Sequence, residues 1–151
     1  MTPLTEHFTL EEFTRSDTAR ILGIVNIPAP AIVANLRRLA KFNELVRLQL
    51  GGAAMVISSG YRCPALNRAV GGAGNSAHLD GLACDFIAPA FGTPMDICER
   101  LNTSTLQFDQ LIIERVGGAV WVHLGIAAEN KTPRRQVLTI DSRGTRIGLW
   151  K

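Results

Sequence analysis

Hydrophobic positions change their spacing part-way along the chain, and two kinds of element follow from that change. Thr9-Leu10-Glu11-Glu12-Phe13 sets an N-cap threonine three residues before a glutamate, the pattern of a capping box. The helix opened there is expected to stop at Gly23. Pro28 and Pro30 introduce a longer helix in which Ile32, Val33, Leu36, Leu39, Ala40 and Val46 keep near-helical spacing until Gly51-Gly52. Its charged residues Arg37, Arg38, Lys41, Glu44 and Arg47 are expected on the wet face. Beyond Gly52, Ala54–Ser58 reads as a strand, Pro64–Ala69 as a helical turn and residues 70–75 as a glycine-rich loop. Leu82–Ala88 has the texture of a buried strand, and Thr93-Pro94-Met95-Asp96 that of a helix start, running to Leu101. Gln110–Arg115, Ala119–Gly125 and Gln136–Ile140 complete the strands, with a turn over 141–144 leading into a last short one. Helices packed on a small, mainly antiparallel sheet define an α+β fold.

The chain has 151 residues, 46% of them hydrophobic and 19% charged, which suits one domain with a real core. Residues 1–151 therefore read as a single unit, with 1–52 its helical N-terminal part. That composition excludes a disordered chain and a scaffold held by disulfides. No apolar run approaches the roughly 18–20 residues of a membrane helix. Met1–His7 has neither the basic start nor the apolar stretch of a secretory signal, and His7 is expected in a mobile leader.

Charge changes the picture little. The net charge is +3, and Lys131, Arg134, Arg135, Arg143, Arg146 and Lys151 crowd the end of the chain with only Asp141 beside them. Such a patch fits either a polyanion, including an anionic cell wall, or a solvated face of terminal strands. Few aromatics and no aromatic–basic interleaving argue against nucleic-acid binding by stacking. Three cysteines, Cys63, Cys84 and Cys98, have no metal-site spacing. Cys84 and Cys98 read as core residues, while Cys63 after Gly60-Tyr61-Arg62 is also a possible nucleophile that has no neighbouring histidine in sequence.

His78 lies at the end of the glycine-rich loop, and Asp85 falls inside the apolar run Leu82-Ala83-Cys84-Asp85-Phe86-Ile87-Ala88. A carboxylate there is costly unless a cation compensates it. His123 sits likewise within Val120-Trp121-Val122-His123-Leu124. Two imidazoles and a carboxylate suit zinc with an open fourth position, although hydrogen-bonded core residues account for each taken singly. If Gly117-Gly118 is the two-residue loop of a hairpin, Val116 opposes Ala119, Glu114 opposes Trp121 and Ile112 opposes His123. Glu114 and His123 then share a face as diagonal neighbours about 7–8 Å apart, whereas a slip of one residue turns Glu114 away.

Ser76-x-His78-x-x-Gly81-x-Ala83-x-Asp85 followed by Trp121-Val122-His123 resembles the zinc D-alanyl-D-alanine carboxypeptidase family, which includes phage endolysin peptidases. Ser58-Ser59-Gly60-Tyr61-Arg62, Pro64-Ala65-Leu66-Asn67 and Phe108-Asp109-Gln110-Leu111-Ile112-Ile113-Glu114 are similar to its flanking blocks. Phe8–Phe13 is similar to the start of the phage and prophage branch. The resemblance implies one zinc ion held by His78, Asp85 and His123, Arg62 at the scissile carbonyl, and Ser76, Tyr61 and Trp121 in supporting or substrate-binding positions. Several relatives carry the catalytic acid three residues before the final histidine, where this chain has Val120. Glu114 is therefore the candidate base and Asp80 a weaker substitute. The implied activity is hydrolysis of a peptide bond in peptidoglycan, as a carboxypeptidase or as an endopeptidase on stem peptides or cross-bridges. The alternative is a non-catalytic zinc module, as in the similar amino-terminal domain of Hedgehog signalling proteins. The chain is expected to act as a monomer, without nucleic acid or membrane insertion. It is expected to be made in the cytoplasm and to reach the wall by phage-type release or within a phage particle.

Overall fold

The computed structural model describes residues 1–151 and has the α+β architecture expected. Three N-terminal helices, α1 (Leu10–Thr14), α2 (Asp17–Leu22) and α3 (Pro30–Gln49), precede β1 (Val56–Ser59) and α4 (Pro64–Ala69). A 3-10 turn (Ala77–Asp80) leads into β2 (Ala83–Ile87) and α5 (Pro94–Asn102). The chain ends in β3 (Gln110–Val116), β4 (Ala119–Gly125), β5 (Gln136–Asp141) and β6 (Gly144–Ile147). One six-stranded sheet has the order β1-β2-β4-β3-β5-β6. Only the β3–β5 pair is parallel. Gly125 and Gln136 both pair with Gln110, so the 126–135 connection need only step across the start of β3.

Strand alternation divides the sheet into two faces. Cys84 and Phe86 of β2, Leu111 and Ile113 of β3, and Val122 and Leu124 of β4 are buried in the main core. They share that core with Leu36, Leu39 and Val46 of α3 and with Ile97 and Leu101 of α5. The intervening residues Asp85, Glu114, Trp121 and His123 therefore turn to the opposite face. The β3–β4 hairpin has the register expected, with Glu114 against Trp121 and Ile112 against His123. Gly117 and Gly118 form the loop at φ +54° and +85°, a twist that glycine tolerates without strain.

Three expectations for the N-terminal region need correction. The helix between Thr9 and Gly23 is broken in two, because Arg15 is extended and the Ser16 hydroxyl caps a new start by accepting from the Ala19 N–H at 3.1 Å. Gly23 ends only the second piece, in a left-handed conformation. The leader is also docked rather than loose. Glu44, expected on the wet face, accepts from the Thr5 hydroxyl at 2.7 Å and the His7 N–H at 2.9 Å, and lies 2.8 Å from His7 Nδ1. Arg38 on the same helix, also expected on the wet face, donates to the Ala127 carbonyl at 3.0 Å.

The C-terminal basic cluster is largely spent within the fold. Arg134 grips Asp109 at 2.7 Å, and Arg146 grips Asp141 at 2.6 Å. Arg135 donates to the carbonyls of Leu106 and Ser104 and stacks on Phe108. Partners within the chain therefore engage half of the six cations, Arg134, Arg135 and Arg146.

α1 matters most through one contact with the segment after β1. The Tyr61 N–H donates to the Phe13 carbonyl at 2.7 Å, which brings Gly60 against the helix backbone. A β-carbon on Gly60 would lie 2.4 Å from the Phe13 oxygen and 2.7 Å from its α-carbon. Phe13 itself is fully buried, so neither backbone has room to retreat. Gly60→Ala is expected to cost about 1–3 kcal/mol, the usual range for overpacking, read as a lower denaturant midpoint at unchanged slope. A midpoint equal to that of the parent protein would refute the close approach.

Candidate metal centre

His78 reaches the site because the 3-10 turn presents it from above β2. The Ser76 hydroxyl accepts from the His78 N–H at 3.3 Å at the start of that turn, and Gly81 closes it in a left-handed conformation. The ring is oriented from behind. His78 Nδ1 stands 2.7 Å from the Gly60 carbonyl, which can only accept, so Nδ1 carries the proton and the Nε2 lone pair points forward. Asp85 and His123 are directly opposed on β2 and β4, which places their side chains on the same face.

Asp85 Oδ1 lies 3.3 Å from His78 Nε2 and 3.1 Å from His123 Nδ1. The two imidazoles meet edge to face with their centroids 5.1 Å apart. One donor atom from each of the three residues falls within 4.8 Å of the other two. His78 and His123 are buried, and the Asp85 side chain is 14% exposed. With Nδ1 of His78 committed to Gly60, a neutral ring turns a lone pair towards a carboxylate oxygen. Two acceptors at 3.3 Å repel unless a cation, proton or metal, lies between them. The donor set of two imidazole nitrogens and one carboxylate oxygen fits zinc, leaving a coordination position for water or substrate. Burial alone would raise the Asp85 carboxyl, but the adjoining His78 and His123 outweigh it and hold the group well below the usual carboxylate range.

Glu114 stands beside this cluster, with Oε1 3.9 Å from His123 Nδ1. Burial pushes its carboxyl up and the negative charge of Asp85 adds to the rise, while His123 and Arg62 oppose it. Asp85 and Glu114 also act on Arg62, holding it charged against the desolvation that lowers its pKa. Arg62 is fixed through its backbone, whose N–H donates to the His78 carbonyl at 3.0 Å, and reaches Ser76 Oγ at 3.5 Å. Arg62, Asp85, Tyr61 and Trp121 line a cleft of about 360 Å³. The Trp121 indole N–H is buried there with no protein acceptor.

Asp80, the weaker candidate, is exposed and uses its backbone carbonyl to accept from Asn35 at 2.9 Å. Cys63 is the N-cap of α4, where its sulfur accepts from the Leu66 N–H at 3.5 Å. Cys84 faces the core, where burial pushes its thiol up to about 12. Two supporting features had no signal in the hydrophobic pattern. Asn26 donates to the carbonyls of Thr14 and Tyr61 and accepts from the Cys63 N–H, clamping the segment that carries Arg62. The broken α1–α2 junction adds Arg15, Ser16, Asp17 and Thr18 to the lining of the cleft.

A family model described as Peptidase M15 matches residues 6–124, a span that contains α1, the three clustered residues, Arg62 and Glu114. No curated protein matches the sequence.

Wild-type protein is expected to bind one equivalent of zinc and to melt at a higher temperature when loaded, since a ligand of the native state stabilises it by mass action. His123→Ala should lose both the bound metal and the thermal shift, measured by elemental analysis and differential scanning calorimetry. An unchanged stoichiometry in that variant would remove His123 from the ligand set.

Proposed function

The chain belongs to the peptidase M15 family, and from that premise we propose that it is a zinc peptidase whose substrate is a peptide bond of bacterial peptidoglycan. The observation that carries the catalytic part is the placement of a raised carboxyl, Glu114, beside the three-residue cluster and within the electrostatic influence of Arg62. His78, Asp85 and His123 would hold the zinc. When bound, the ion supplies Lewis acidity to the scissile carbonyl and to water.

The remaining work falls to this chain's own groups. Glu114 accepts a proton from the attacking water and returns it to the departing amine as the C–N bond breaks. Its raised carboxyl suits both halves of that transfer, because it holds the proton more readily than an exposed glutamate. Arg62 donates to the carbonyl oxygen as that oxygen gains negative charge. The backbone bond from Arg62 to His78 ties the guanidinium's position to that of the cluster. Ser76 bridges the same two residues by side-chain contacts. Tyr61 and Trp121 shape the cleft wall against which the peptide lies.

The resemblance of Phe8–Phe13 to phage and prophage relatives supports action as a lysin or within a phage particle. Carboxypeptidase and endopeptidase action share this chemistry and differ in the bond presented. Digestion of purified walls, with mass-spectrometric identification of the new ends, separates them. Wall binding without released peptides would replace the enzyme with a Hedgehog-like binding module.

Glu114→Gln should retain zinc and lower kcat by roughly 10²–10⁴-fold, the usual range for a general base. Turnover at the parent rate would exclude Glu114 from the proton transfer. Arg62 lowers the Glu114 pKa, so Arg62→Ala should raise it and move the acidic limb of the kcat/KM profile to higher pH. A limb that stays in place would separate Arg62 from Glu114.

A further inference from the structure

The cleft has a second cation whose position no step of the proposed chemistry uses. Arg15 sits in the break between α1 and α2 and lines the same cleft as Arg62, Asp85 and Trp121. An uninterrupted helix from Thr9 to Gly23 would keep its backbone hydrogen bonds. The chain instead turns extended at Arg15 and caps afresh at Ser16. The α1 side of the break is held by backbone contacts. The Arg15 N–H donates to Glu11 at 2.9 Å, the Phe13 carbonyl is taken by Tyr61, and the Thr14 carbonyl is taken by Asn26 at 2.9 Å.

The guanidinium itself is almost unengaged. Its only hydrogen bond is a long one, from Nη2 to the Ile57 carbonyl at 3.4 Å, and no carboxylate lies within ion-pair distance. Asp17, which lines the same cleft, is 3.7 Å from Arg20. A planar fork of five donors, largely free, rigidly based and facing a polar cleft, is matched to a carboxylate. The geometry points to Arg15 as a specificity-determining residue that holds a free carboxylate of the peptide substrate while the scissile bond lies against the His78–Asp85–His123 cluster. Ser58 and Ser59 line the same cleft and offer hydroxyls to the rest of the peptide. This subsite rests on the peptidase reading and defines which peptides that site takes.

The test compares a synthetic peptidoglycan stem pentapeptide bearing free carboxylates with the same peptide fully amidated. Binding to the zinc-loaded protein is followed by tryptophan fluorescence and cleavage by KM and kcat. The parent protein should prefer the free acid by about tenfold or more, the scale of a charge-assisted hydrogen bond. Arg15→Ala should bring the two peptides within about twofold of one another, through KM with kcat little changed, as expected for a contact made equally before and during reaction. Arg15→Lys should recover part of the preference. Arg143→Ala, which removes the same charge from the exposed turn after β5, should leave it intact. Equal use of acid and amide by the parent protein overturns the subsite while leaving the peptidase reading standing, as does a preference that survives Arg15→Ala or is lost equally in Arg143→Ala. Failure of the parent protein to bind or cleave either peptide overturns the peptidoglycan reading and the subsite with it.

Discussion

One carboxylate oxygen facing two imidazole nitrogens is the constraint around which this molecule is arranged. Asp85 lies inside a strand whose neighbours Cys84 and Phe86 are fully buried, so its charge needs compensation. Compensation comes from opposite directions, His123 across the β2–β4 pairing and His78 from the turn above. The His78 contact is the demanding one, because its Nε2 lone pair and the Asp85 oxygen 3.3 Å away repel unless a proton or a metal lies between them. The proposed zinc would meet that demand through donor atoms that the fold already brings together.

That demand propagates outward to parts of the chain far from the chemistry. His78 presents its free nitrogen because Gly60 accepts from the other one, and Gly60 is held because α1 lies against it. α1 is fixed in turn by buried Phe13 and by a capping box in which Glu12 accepts from the Thr9 N–H at 2.7 Å. Short helices of this kind are marginal by themselves and acquire their stability from packing. Residues 1–26 are thus part of the site's support. Asn26 shows the same logic at a single residue, using its amide nitrogen and oxygen on three backbone groups of two segments.

Legibility in the sequence followed the range of the interaction. The β3–β4 hairpin was readable to the residue, because Gly117-Gly118 sets the loop length and loop length sets register. Thr93 and Asp96 likewise announced α5, since capping is local. The break at Arg15–Ser16 was not readable, because the carbonyls before it are taken by Tyr61 and Asn26, groups distant in sequence. Docking of His7 onto Glu44 spans 37 residues and left no trace in periodicity. The convergence of His78, Asp85 and His123 stood between these cases. Residue types and burial in the pattern marked each one, but only the register of β2 on β4, with the turn above, brings them together.

Asp85 and Glu114 carry the same functional group on the same face of one sheet, yet their carboxyls are driven in opposite directions. Both are desolvated, so burial does not distinguish them. The difference lies in contact distance, since Asp85 touches both imidazoles whereas Glu114 approaches only one, at 3.9 Å, and also feels the charge of Asp85. Under the proposed mechanism the stronger cationic environment goes to the residue that would hold the metal, and the weaker to the one that would exchange a proton. Separation of two carboxyl environments in this way divides ligand from base without any difference in chemistry between the side chains. A glutamate moved one residue along β3 would face the core instead, so the division depends on the same two glycines that close the hairpin.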